Sequence, residues 1–392
     1  MVGAESRALA CEDRPQLSDA VRNRRDSKQV NLRFASCAPS ARCTTSKGLL
    51  SLQRLPTWPP KPPESTKARE AALYDRQLRL WGVEAQNRMR NASVLVVNLR
   101  GLAAEVCKNI VLAGIGKLTI ADERDVAEED LGSGYFCRED DVGAKRVDAA
   151  APRIQALNPR VDVIASTSLA MLDDVAALRA FDLVCLTDSD ANRLARVDAL
   201  CREAGVKFYG AASLGLSGYI FCDLISHDYT IQRTDTANRP SDGEPTKITV
   251  KRHQDYVALP TALAHSWKGQ KIRPKTLPRM LALFEMLAVL RFQSEHGGAL
   301  PDASSVAELQ STAERILAEK DIATSVLQPD RLEILARTAH ADFAPSCAVL
   351  GGILGQDVLS ALGGTEMPIA NFLAFDGDTN AGDIYALSIT LP

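Results

Sequence analysis

A β-branched run, Ser93-Val94-Leu95-Val96-Val97, is followed after one turn by Leu102, Val106, Cys107, Ile110 and Val111 at helical spacing. A second apolar run, Lys117-Leu118-Thr119-Ile120-Ala121, then stops at Asp122. Strand, turn, helix and strand within about 30 residues make a βαβ unit, with Gly114 and Gly116 ending the helix. A crossover of that kind makes its strands parallel, and strands lacking polar alternation are covered on both faces. The alternation continues. A helix over residues 144–157 precedes Val161-Asp162-Val163-Ile164, then come Leu183-Val184-Cys185-Leu186-Thr187, a helix over 191–204 and Val206-Lys207-Phe208-Tyr209. This order predicts an α/β, doubly wound sheet.

Composition narrows the function. Forty-six Lys plus Arg stand against 49 Asp plus Glu, a net charge of −3, so no broad basic field marks a nucleic-acid or anionic-membrane partner. No run approaches the roughly 18 consecutive apolar residues of a spanning helix, and the start has no apolar signal core. The expectation is a soluble, intracellular chain. Nine scattered cysteines with no CxxC pair, and five histidines, suggest neither a disulfide framework nor a metal site.

Residues 1–68 mix Arg, Ser, Asp and Pro without periodicity and read as a disordered tail. Residues 69–234 form the α/β domain, and the polar stretch 235–247 reads as a mobile loop. A strand and helical insertion follows over 248–341, with Met280, Leu283, Phe284, Leu287 and Leu290 on one helix face and Val306, Leu309, Ala313 and Ile316 on another. Residues 342–392 supply a Gly-containing apolar helix and a final strand pair that complete the domain. Gly351, Gly352 and Gly355 in that helix point to close contact with another element.

The first strand-to-helix turn reads Asn98-Leu99-Arg100-Gly101-Leu102-Ala103, where a nucleotide-binding fold would place GxGxxG. Glycine there lets the backbone approach phosphate. Asn98, Arg100 and Ala103 put side chains in its way, so the turn keeps the fold and is expected to lose the nucleotide.

Upstream lies Tyr74-Asp75-Arg76-Gln77-Leu78-Arg79-Leu80-Trp81-Gly82. Together with KNIVLAGIGKLTIAD, VGAKR, FDLVCLTDSD, GLSGYIFCDL, FAPSCAVLGGILGQDVL and NFLAFDGDT, it resembles the ubiquitin-like activating enzyme family over roughly residues 70–392. Within that family the resemblance is to the smaller, non-thioester subunits of the SUMO-activating branch. It implies a Rossmann-like adenylation fold of the bacterial molybdopterin and thiamine type, with small antiparallel strands. It also implies a heterodimer whose larger subunit binds ATP and Mg²⁺, adenylates the modifier and carries the nucleophilic cysteine. Active members resemble one another in a GxGGxG turn, an N-x-x-R-Q segment and a D-N pair. This chain has Asn98 to Ala103, Glu128 to Gly132 and Asp188-Ser189 there, so no cofactor-binding or metal residue is expected in it. Asp122 and Asp188 then read as ordinary strand-end carboxylates. The nucleophile's Pro-x-Cys-Thr segment is missing, and Cys347 in Pro345-Ser346-Cys347 reads as a packing cysteine.

The resemblance assigns one catalytic residue, Arg76, reaching in trans to ATP in the partner subunit, with Arg79 as the substitute if the assignment is off by one turn. A salt bridge from Arg76 to Asp75 is the structural alternative. The resemblance further implies the nucleus, with the cytoplasm as a second location. Two other readings stay open: the small subunit for the cullin-modifying ubiquitin-like protein, expected to carry a longer helical insertion, and a self-contained homodimeric adenylating enzyme. A nicotinamide dehydrogenase is suggested by the βαβ unit alone.

Overall fold

The computed structural model describes residues 74–234, 247–269, 272 and 276–391. The expectation for 1–68 lies outside them, and so does that for the loop over 235–247 except at Lys247, which opens a strand instead.

Five parallel strands form the centre: β1 (Ser93–Val97), β2 (Lys117–Ala121), β3 (Asp162–Ser166), β4 (Leu183–Thr187) and β5 (Lys207–Leu214). Antiparallel β6 (Ser217–Asp223), β9 (Phe372–Asp376) and β10 (Ala381–Tyr385) extend them to one eight-stranded sheet of order β10-β9-β6-β5-β4-β1-β2-β3. Three of the expected antiparallel strands therefore belong to the main sheet. The separate pair is β7 (Ser226–Thr234) with β8 (Lys247–Asp255).

Helices cover both faces. Val94 and Val96 of β1 pack on one layer, formed by α2 (Gly101–Ala113), α3 (Arg146–Leu157) and α10 (Ala344–Gly363). Leu95 and Val97 pack on the other, formed by α5 (Ala191–Ala204), α7 (Leu281–Glu295), α8 (Val306–Glu319) and α9 (Pro329–Thr338). Short α4 (Val175–Leu178) and α6 (Leu259–Leu263) fill in between. Each fully buried Val or Leu contributes about 1.5–3 kcal/mol, which is why β1, apolar on both sides, lies centrally.

One helix departs from its sequence pattern. The spacing of Leu283, Phe284, Leu287 and Leu290 predicts a single apolar face on α7, yet every residue from Leu281 to Leu290 is buried. The helix lies between the sheet and α8, so it has no solvent side over that length. Its one charge there, Glu285, is met by a bidentate Arg331 at 2.8 and 2.9 Å.

α10 is long and apolar enough by length and mean hydropathy to cross a membrane, but 67% of that window is buried in the protein. It packs along α2. A Cβ on Gly351 would lie 2.4 Å from the Glu105 Cβ and 3.1 Å from the Leu102 carbonyl oxygen, and one on Gly355 2.9 Å from the Asn109 Cβ. Gly352 faces open space, so two of the three glycines make the expected contact. Gly351→Leu is therefore expected to destabilise the protein by about 3 kcal/mol. Gly352→Ala should instead stabilise by about 0.5–1 kcal/mol. Denaturant unfolding of the two variants checks the contrast, and equal effects would remove Gly351 as the spacer between these helices.

Candidate functional site

α1 (Asp75–Asn91) carries the Arg-rich packet and is two helical pieces joined at Gly82, whose φ of 84° suits glycine. Its inner side is anchored. Tyr74 is buried and its hydroxyl accepts from Asn158 Nδ2 at 2.8 Å. The Trp81 Nε1–H donates to Gln86 Oε1 at 3.0 Å, and Gln86 Nε2 donates to the Ala113 carbonyl at 3.0 Å. The outer side carries Arg76, Arg79, Leu80 and Val83, with Leu80 77% and Val83 64% exposed. The salt bridge to Asp75 comes from Arg79, at 2.9 Å, one helical turn along. Arg76 is exposed and has no hydrogen bond or ion pair among the described residues.

A second locus lies at the C-terminal ends of β1, β4 and β5. The chain leaves β1 for β2 and β3 on one side and returns to β4 on the other, the switch point where open α/β sheets hold ligands. A cavity of about 430 Å³ lies there, lined by Asn98, Arg100, Asp122, Asp188, Arg193 and Tyr219 among others. Asn98 takes the first glycine's place in a left-handed conformation (φ 63°), and its Nδ2 donates to the Thr187 carbonyl at 2.7 Å. Gly101, the glycine that is kept, serves packing: a Cβ there would meet Ser133 Oγ at 2.7 Å and Cys347 Sγ at 3.0 Å.

The N-terminus of α2 is where a phosphate would lie in a nucleotide-binding turn. Here it faces Asp342, from the loop before α10. Asp342 Oδ2 accepts from the Gly101 N–H and from Ser133 Oγ, each at 3.3 Å, and Oδ1 lies 3.1 Å from Arg100 Nη2. An added phosphate would meet a buried carboxylate at that position, so the residues present do not fit a nucleotide.

The two aspartates separate. Asp122 is fully engaged: Oδ2 accepts from the Leu99 N–H at 2.8 Å and Oδ1 from the Arg124 N–H at 2.9 Å. Buried Arg146 bridges Asp122 (3.3 Å) and Asp130 (2.8 Å), so Asp122 braces the turn. Asp188, at φ 45°, accepts from the Ser213 N–H through Oδ1, while its buried Oδ2 has no partner. Burial first, and Asp342 second, push its carboxyl up to about 7. Cys347 is buried with its Sγ 3.5 Å from Ser213 Oγ, and burial pushes its thiol up to about 12, which makes it a poor nucleophile. Among the described residues no three His, Cys, Asp or Glu side chains converge as a metal site.

Asp342, Ser133 and Arg146 were missed by sequence reasoning. VGAKR contains Arg146, but only the fold brings it to Asp122 and Asp130. Asp342 reads locally as an acidic residue ahead of a helix, and nothing in the string ties it to Gly101, 241 positions away.

The ThiF family model matches residues 74–388, which takes in both α1 and the β1–α2 turn. The chain belongs to the ThiF family. Among ThiF relatives, it is 34% identical to rat "SUMO-activating enzyme subunit 1" over 334 residues, covering 81% of this chain and 94% of that protein. The human protein of the same name gives 34% over 332 residues, covering 81% and 95%. "DNA damage tolerance protein RHC31" of Saccharomyces cerevisiae gives 33% over 331 residues, covering 79% and 94%. A solved structure, "Crystal structure of E. coli MccB + Succinimide", is similar at TM-score 0.47 and 15% identity, over 80% of this chain and 71% of that one.

The raised Asp188 carboxyl sets a pH dependence for this ThiF chain. Its folded pKa lies above the unfolded value of 3.8, so between about pH 4 and pH 7 the native state holds the extra proton. Stability from this group is present below pH 4 and is lost as pH rises through 7. Asp188→Asn should therefore gain stability over the native chain as pH goes from 5 to 8, by up to about 3 kcal/mol. Unfolding free energies of both proteins across that range check this, and a pH-independent difference would contradict it.

Proposed function

We propose that this chain is the small, non-thioester subunit of a SUMO-activating heterodimer. In this reading it completes the larger subunit's site for ATP-dependent adenylation of the SUMO C-terminus, before thioester formation on that larger subunit. The observation that carries the reading is the similarity to proteins named SUMO-activating enzyme subunit 1 along 94–95% of their own length. That match favours the SUMO branch over the cullin-modifier subunit, which is expected to carry a longer insertion. The Asp342 carboxylate at the α2 N-terminus argues against a self-contained adenylating enzyme, so ATP and Mg²⁺ are assigned to the partner and the chain alone is expected to be inactive. Its place of action is proposed to be the nucleus.

Arg76 is the residue proposed to act in trans. Its guanidinium is permanently charged, planar and uncommitted within the described chain, whereas Arg79 is held by Asp75. A fork of this kind stabilises charge spread over phosphoryl oxygens, and it does so only once the dimer forms. The exposed Leu80, one turn from Arg76, and Val83 give the apolar surface that a partner would cover.

SUMO-dependent ATP–pyrophosphate exchange tests both parts. Exchange is expected only when this chain and its larger partner are mixed, and exchange by this chain alone would overturn the reading. Arg76→Ala should slow exchange by about 10³-fold with heterodimer assembly intact. Arg79→Ala, which removes an exposed i,i+4 pair, should leave the rate close to normal. A reversed ranking of the two variants would move the role to Arg79.

A further inference from the structure

Buried polar side chains are nearly always hydrogen-bonded, so an unmet one marks a missing partner. Two unmet atoms belong to the lining of the cavity of about 430 Å³ at the switch point: Asp188 Oδ2, just beyond β4, and the hydroxyl of Tyr219 in β6. Tyr219 is 1% exposed, and its ring is stacked on Phe372 with centroids 5.6 Å apart, which fixes where the hydroxyl lies. Gln293 of α7, 5% exposed, lines the same cavity, and its side-chain amide has no hydrogen bond among the described residues. Three polar side chains from separate parts of the chain thus meet one cavity with bonding capacity unused.

That capacity has a sign. Asp188 Oδ1 accepts from the Ser213 N–H at 3.1 Å, which leaves Oδ2 as a lone acceptor. Arg100 and Arg124 act on this carboxyl without bonding to it, and Arg100 is held by Asp342 at 3.1 Å. Other carboxylates on the cavity wall are committed: Asp190 Oδ1 caps α5 through the Asn192 and Arg193 amides, and Glu123 Oε1 accepts from the Leu169 N–H. Burial first, then the Asp188 and Asp190 charges, push the Tyr219 phenol up, so it stays protonated and neutral. What the cavity lacks is a positively charged donor. A divalent metal fits it poorly, because only one carboxylate oxygen is open and no three His, Cys, Asp or Glu side chains converge among the described residues. The planar fork of a guanidinium needs both carboxylate oxygens, and Oδ1 is taken. An ammonium is a compact charge with three donors, which match Asp188 Oδ2, the Tyr219 oxygen and the Gln293 carbonyl. Leu214 and Val289, 3% and 1% exposed, give the cavity an apolar wall for a carbon body, in a volume well beyond that of one water.

We propose that this cavity binds a small primary amine with an apolar body, its ammonium held by Asp188, Tyr219 and Gln293. The buried Asp188 carboxylate gains a counter-charge, and the Tyr219 and Gln293 oxygens gain the donor that the chain itself does not supply. The ligand is a cation, and it uses a different set of side chains from the Gly101 amide and Ser133 hydroxyl that meet Asp342. This inference does not rest on the partner reading, because it is read on this chain alone.

The test is titration calorimetry of the full chain with benzylamine at pH 8, where the Asp188 carboxyl is ionised. Benzyl alcohol, of the same shape without the charge, and magnesium chloride are titrated alongside at constant ionic strength. Benzylamine is expected to bind at millimolar concentration or tighter, and benzyl alcohol at least about tenfold more weakly. Asp188→Asn, which the pH argument above makes no less stable than the native chain at pH 8, should weaken benzylamine at least about tenfold. Tyr219→Phe removes a hydroxyl with no partner, so Tm should hold while benzylamine weakens about fivefold. Absent benzylamine binding, equal binding of benzyl alcohol, or an affinity unchanged in Asp188→Asn overturns the proposal. A magnesium signal that disappears in Asp188→Asn overturns it as well, since the carboxylate would then serve a metal.

Discussion

The closeness of α10 to α2 governs much of this molecule. Gly351 and Gly355 let the two helices touch at Glu105, Leu102 and Asn109, and that contact fixes where α10 begins. Because α10 begins over the first turn of α2, the residue two before it, Asp342, arrives at the α2 N-terminus, and Cys347 arrives beside Gly101. A wider helix spacing would carry that carboxylate away from the Gly101 amide it meets. The packing of two apolar helices thereby decides the electrostatics of a site at the end of β1.

The same geometry explains why the β1–α2 turn retains one glycine and gives up the others. Gly101 is confined by Ser133 and Cys347, so its hydrogen is required by packing whatever the site binds. Asn98 manages the left-handed conformation by donating to the Thr187 carbonyl, a solution open to Asn at modest cost. Arg100 is free to be a large cation because its charge is answered internally.

The central sheet was legible because parallel strands covered on both faces are written as unbroken apolar runs: the strands read at 93–97, 117–121 and 183–187 match the structure residue for residue. α5 was equally clear, with its amphipathic spacing between Asp190, which caps its start, and Gly205, which ends it. α7 was misread in kind, since a helix buried all round has no polar side for periodicity to report. At the candidate site, local chemistry was readable and long-range pairing was not. Side chains at Asn98, Arg100 and Ala103 announced an altered turn, but that Arg79, not Arg76, holds Asp75 and that Asp342 faces Gly101 are matters of rotamer and tertiary packing.

The Arg100–Asp342 pair also bears on how such a chain changes over generations. Replacing Arg100 by glycine alone would strand the Asp342 carboxylate in a buried place without the guanidinium that faces it, and removing Asp342 alone would strand the guanidinium. Either first step descends in stability before any ligand can compensate, while both together still leave Asn98 and Ala103 in the way. The internal pair thus locks itself in: each residue makes the other costly to replace, and only a concerted change at both positions avoids a buried, unpaired charge.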